Sequence, residues 1–214
     1  MKRKSCLLLL ALVAGPSWAG DAWVAEYQVA EGAATKSLVV VRDDQQVEYR
    51  LAGEAPRLWR KTSDGIEMRE LYADEGRMIT YSPGDLRTLQ MTPDWEELVG
   101  VVNPATLTEL LPKSDSRRFG QKLTHYVGTD SQGNQVALDW LPEAGLPARL
   151  ALKSEGAGKR SDMPARLALK SLVRRPSDAA FSPTDKLLEI DHADLGDMEM
   201  NPDVQRLGRH GHAY

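Results

Sequence analysis

Cysteine is almost missing from this sequence. Its 214 residues hold one, Cys6, which precedes the apolar stretch Leu7 to Ala14. With residues 1–19 removed as a leader, no disulfide, Cys-x-x-Cys redox pair or thiolate metal site is possible in the rest. A bacterial lipid-attachment cysteine follows the apolar stretch, so the position of Cys6 argues against lipidation. Long hydrophobic runs are also lacking: the longest is about a dozen residues, against the ~20 needed to cross a bilayer. Aromatic residues make up 6% of the chain, with two phenylalanines, so a core must be built mainly from aliphatic side chains. Neither the Gly-x-Ser-x-Gly elbow nor His-Glu-x-x-His occurs, and no spacing selects a Ser/His/Asp triad. The sequence therefore nominates no catalytic residue, no cofactor and no metal centre, and the expectation is a protein that is not an enzyme.

What is present begins with an export pattern. Lys2, Arg3 and Lys4 precede the apolar stretch, and Ser17-Trp18-Ala19 is a small-x-small cleavage signal before Gly20. The expected mature chain is periplasmic, with no transmembrane segment after cleavage. Removal of the leader strips three basic residues and no acid, moving the formal net charge from −4 to −7. That balance argues against nucleic acid as a partner. The charge is also uneven. Eight basic and two acidic residues lie between Pro147 and Arg175, and eight acidic and one basic between Pro176 and Asp203. Either these are two solvated surfaces, or the acidic tail folds over the basic segment.

The basic segment contains a duplication. Pro147 to Ser154 reads PARLALKS, and so does Pro164 to Ser171. In each copy Ala148, Leu150 and Leu152, or Ala165, Leu167 and Leu169, alternate with Arg149, Ala151 and Lys153, or Arg166, Ala168 and Lys170. The intervening residues 154–163 are turn-forming, so the pair reads as an antiparallel hairpin with one face buried. Burial of one face requires paired residue numbers to sum to an odd value. The register chosen is 319, which sets Leu150 beside Leu169, Leu152 beside Leu167 and Arg149 beside Lys170. It makes a ladder of like charge, costly unless anions lie nearby.

Along the rest of the chain, strands are expected from Trp23 to Val29, Lys36 to Arg42 and Val47 to Leu51. An irregular stretch follows from Ala52 to Asp64, then strands at Ile66 to Tyr72, Arg77 to Tyr81 and Leu86 to Met91, with a turn at Ser82–Asp85. The period then becomes helical at Trp95, Leu98, Val99 and Val102. Asn103-Pro104 opens a second short helix with Leu107, Leu110 and Leu111 on its apolar face. Strands resume from Phe119 to Thr129 and at Val136, Leu138 and Trp140, before a Pro/Gly corner leads into the hairpin. The last run is Leu187 to Ile190. The fold class is mainly β: a meander of about ten strands, curled because so many strands twist together, with a helical pair as a lid. Such an arrangement implies a cavity for an apolar ligand; the alternative is a filled core.

The segment Trp140-Leu141-Pro142-Glu143-Ala144-Gly145-Leu146-Pro147-Ala148-Arg149-Leu150, a second strand, and then Ser177-Asp178-Ala179-Ala180-Phe181 resemble the periplasmic outer-membrane lipoprotein carrier (LolA/LolB-like) superfamily. The resemblance implies a half-open β-barrel with a helical lid, holding acyl chains or other apolar groups, or serving as an envelope-stress sensor domain. On this reading residues 1–19 are a signal peptide, 20–183 the curled-sheet domain and 184–214 an acidic tail. The expected function is a carrier or binder of a lipid or acyl ligand. The alternative is an interaction or sensor module that docks an envelope protein through the tail. Candidate ligand-binding residues are Trp23, Tyr27, Tyr49, Leu123, Leu138, Trp140, Leu150 and Leu167. His125 is expected to point inward at the cavity mouth, and Arg149 and Lys170 to stand at a rim suited to anionic headgroups. In the tail, Asp191, His192, Asp194, Asp197 and Glu199, with His210 and His212, lack the order of a calcium loop. They read as a solvated tail ahead of a metal site.

Overall fold

The computed structural model describes residues 20–31, 34–131, 133–153 and 166–195. The expected leader, the whole hairpin loop with Pro164 and Ala165, and the tail beyond residue 195, with His210 and His212, lie outside them.

Twelve strands among the described residues form one curled sheet that does not close into a barrel. They are β1 (Asp21–Glu31), β2 (Ala34–Arg42), β3 (Gln46–Leu51), β4 (Arg57–Thr62), β5 (Gly65–Tyr72) and β6 (Arg77–Tyr81). After three short helices come β7 (Leu111–Arg118), β8 (Gln121–Thr129), β9 (Gln135–Leu141), β10 (Leu146–Lys153), β11 (Arg166–Pro176) and β12 (Leu188–Asp191). The sheet order is β12-β6-β5-β4-β3-β2-β1-β11-β10-β9-β8-β7, so β1 closes onto β11 and joins two meanders. All pairings are antiparallel except β12 along β6.

Alternation sets the two faces. Ala25, Tyr27 and Val29 of β1, Leu38 and Val40 of β2, and Leu150, Leu167 and Leu169 of the hairpin are all buried in one main cluster. The helices α1 (Pro83–Thr88), α2 (Trp95–Gly100) and α3 (Pro104–Glu109) cover that face, through Leu86, Leu98, Val99 and Leu107. On the other, outer face a short helix α4 (Ser177–Ala180) and the following strap pack Ala180 and Phe181 against Ala22 and Val41. Val40 and Val41 are both fully buried because β2 is covered on both sides.

Four expectations are corrected. Residues 86–91 are not a strand, because Ser82 and Asp85 form a reciprocal capping box and Pro83 starts α1. The stretch 57–62, read as irregular, is β4: Leu58 and Trp59 are both buried, one on each face, which hides the alternation. Leu111 does not lie on α3 but opens β7, an edge strand whose eight residues are all exposed and so carry no apolar period. Finally, the hairpin register sums to 317. Leu150 faces Leu167 and Arg149 faces Ala168. The odd parity and the buried leucines stand, but Arg149 and Lys170 are not opposite, so the like-charge rung between them is absent. The observed register lets β11 pair with β1 along its length, Leu167 beside Val29 and Leu169 beside Tyr27.

Candidate functional site

The face beneath the helices is built from strand residues that sequence alternation sends inward. Tyr27, Leu138, Leu150 and Leu167 are at most 1% exposed. Trp23, Tyr49 and Trp140 pack against the same cluster half-buried, and Leu123 is buried within it. Eight of the eleven candidate residues thus come together in one apolar body. The remaining three do not. His125 pairs across the sheet with Asp139 while Tyr126 pairs with Leu138, so His125 faces away from the side that Leu138 occupies. The inward placement is corrected: its Nδ1 lies 2.5 Å from Asp139 Oδ1, and that carboxylate explains why an imidazole stands there. Arg149 and Lys170 are exposed. Arg149 lies at the rim of an open cleft of about 940 Å³ at the end of β8 to β10, beside Ala137, Val136 and Leu152.

The helices are fastened at separate points. The Tyr49 hydroxyl donates to Leu98 O of α2 at 2.5 Å, and Lys61 of β4 lies 4.5 Å from the Trp95 ring centre. Gly128 of β8 admits Leu110, just after α3; a Cβ there would come within 2.9 Å of a Leu110 methyl. The linker between α2 and α3 turns at Val101 with φ 63°, a conformation that β-branched residues rarely adopt.

Under these helices lies a residue that the sequence reading passed over, Arg42. It follows Val40 on the inward phase of β2, with Trp23 and Val47 as cross-strand neighbours. Its guanidinium donates to Ala144 O, yet among the described residues its buried Nε has no hydrogen-bond partner, and neither has the buried Tyr27 hydroxyl. Burial holds the Tyr27 and Tyr49 hydroxyls above the usual phenol range, and it lowers the Arg42 value. Each buried polar atom left without a partner costs about 1–3 kcal/mol. The signal available in sequence was a charged residue at the inward phase of an otherwise apolar strand.

No protein-family model matches the chain, and no curated protein does. Solved structures resemble it at low identity. An uncharacterized conserved protein from Thermus thermophilus is 14% identical, with a TM-score of 0.46 over 80% of this chain and 90% of that one. A chain of the Pseudomonas aeruginosa MucA/MucB complex is 13% identical, with a TM-score of 0.42 over 80% of this chain. A putative outer membrane lipoprotein-sorting protein domain from Vibrio parahaemolyticus is 8% identical, with a TM-score of 0.21 over 75% of this chain and 87% of that one. Some matched chains are much longer: this one spans 59% of the MucA/MucB chain and 33% of a PNGF-II chain.

Among the described residues, no group of three or more His, Cys, Asp or Glu side chains is placed to hold a metal ion, and no helix is long and apolar enough to cross a membrane. The arrangement offers an apolar surface, a cover, and two buried donors that lack a partner among the described residues. Those features suit binding.

Proposed function

We propose that this chain is an exported, non-enzymatic binder or carrier of an amphiphile with an acidic headgroup. One observation carries the reading: the Tyr27 hydroxyl and Arg42 Nε are both buried under the helices, near apolar side chains, and have no hydrogen-bond partner among the described residues. A carboxylate or phosphate oxygen accepts from both donors, and a charge-assisted bond to arginine is about twice as strong as a neutral one. The acyl chain would take the place of contacts now made between the helices and the sheet, so entry requires α2 and α3 to move. Six-residue helices held at a few points can do this at modest cost, because so short a helix has little stability of its own.

The test uses delipidated protein and a dansyl-labelled fatty acid alongside its methyl ester. The acid should bind with a saturable rise in fluorescence and the ester about tenfold more weakly, the discrimination that one lost charged hydrogen bond brings. Arg42→Met should remove the preference while leaving ester uptake in place. Absence of uptake by the wild-type chain, or equal affinity for acid and ester, refutes the assignment.

A further inference from the structure

The outer face carries a cleft that the amphiphile does not use. Three segments enclose it: the loop from Gly53 to Pro56, the turn Ala73–Glu75, and the strap from Ser182 to Leu187. It measures about 470 Å³. Its floor includes Leu71, Leu187, Pro56 and Pro183; Leu71 is buried against Leu58 and Met78 beneath. Its rim is acidic, with Glu54, Asp74 and Glu75, and none of the lining residues is basic. Glu54 has Lys36 at 3.5 Å, an exposed pair. Asp74 and Glu75 are exposed and, among the described residues, make no ion pair.

The walls are tied down. Leu71 N donates to Pro56 O at 2.9 Å, and Leu188 N to Gly76 O at 2.8 Å. Ser182 is held by Glu48 through both its N–H, at 2.9 Å, and its hydroxyl, at 2.5 Å. A site already in shape loses little freedom when it is filled.

We infer that this cleft docks a short extended segment of a partner protein in which lysine or arginine alternates with apolar side chains. Charge complementarity selects a basic occupant, and the apolar floor selects one with side chains to bury. The volume falls within the range of natural ligand sites, roughly 300–1,000 Å³. A free polyamine would satisfy the rim and leave the floor wet. The cleft and the helix-covered site lie on opposite faces of the sheet, so this inference does not rest on the amphiphile reading.

The experiment titrates the purified protein into a fluorescein-labelled peptide alternating leucine with arginine. A second peptide carries glutamate in place of arginine, and spermine serves as competitor. The basic peptide should give saturable anisotropy and the acidic one none. Asp74→Lys with Glu75→Lys should weaken binding about tenfold at low salt, as reversal of rim charges slows encounter. Ala73→Trp, which fills the cleft without altering charge, should weaken it as well, with the urea unfolding midpoint unchanged in both variants. The inference falls if both variants bind like the wild type, or if spermine displaces the peptide at equal charge concentration. It also falls if self-association, lost in the variants, shows a second copy to be the occupant.

Discussion

Glu48 sits on the outer face of β3 with its side chain fully buried. It accepts from Arg50 Nε and Nη2 at 2.8 Å each, and from the backbone N–H and hydroxyl of Ser182. Arg50 in turn donates to Ala180 O at 2.7 Å. One carboxylate therefore fixes the strap to the sheet across more than a hundred residues of sequence. Glu48→Ala should cost about 3 kcal/mol or more, because it removes one partner of a buried charged network and leaves the others unsatisfied. Urea unfolding monitored by tryptophan fluorescence measures the loss; a change below about 1 kcal/mol would show that the clasp is replaceable by water. From sequence, Glu48 was merely the polar phase of a strand. Its partners arrive from far along the chain, and nothing local distinguishes it from Glu26, which is exposed.

Among the elements, α1 shows how local chemistry overrides a strand-like reading. Ser82-Pro83-Gly84-Asp85 looks like a turn, but the same four residues are also a helix start. The Ser82 hydroxyl, its backbone N–H and the Asp85 carboxylate close the capping box. These bonds, that from the Ser82 hydroxyl first, hold the Asp85 carboxyl below its ordinary range, and His192 lowers it further. Since the folded value lies below the unfolded one, the contribution is complete above the unfolded carboxylate range and is lost as pH falls through the folded value. Asp85→Asn should therefore be less stable than the wild type at neutral pH, and the gap should narrow as the pH falls below the ordinary carboxylate range. Denaturant midpoints across that range test it; a gap independent of pH would show that Asp85 acts through shape alone. β7 was missed for the opposite reason. An edge strand with both faces wet has no alternation to read, and Pro112 and its charges are the features that discourage further pairing there.

For the whole molecule, the hairpin register decides how the two meanders join. The sequence restricts the register to odd sums, because a one-residue slip would turn every leucine to solvent. Sums of 317 and 319 both satisfy that condition, and only the fit of β11 against β1 separates them. A chain with Cys6 replaced by serine allows a direct check. Arg149→Cys with Ala168→Cys should form a disulfide on mild oxidation, since opposed strand residues have Cα atoms about 4.5–5.5 Å apart. Arg149→Cys with Lys170→Cys should not, and mass spectrometry of the oxidised protein distinguishes them; bridging of the second pair alone would restore the register of 319. The acidic segment shows a similar dependence on the whole. Within its described part, Leu188–Asp191 forms β12 along β6, at the end of the sheet order and away from β10 and β11, a placement no local pattern specifies.

Apolar periodicity in the chain was enough to determine a mainly β fold, the inward identity of Tyr27, Leu138, Leu150 and Leu167, and two short helices, the second capped at Asn103. These depend on contacts within a few residues, or on a period that any partner strand must respect. Tertiary structure decided the register at the junction, the outward turn of His125, the burial of Arg42 and the cleft beneath the strap. Each of those needs to know which distant segment arrives opposite, and a periodic pattern of side chains constrains the face a residue shows without naming its neighbour.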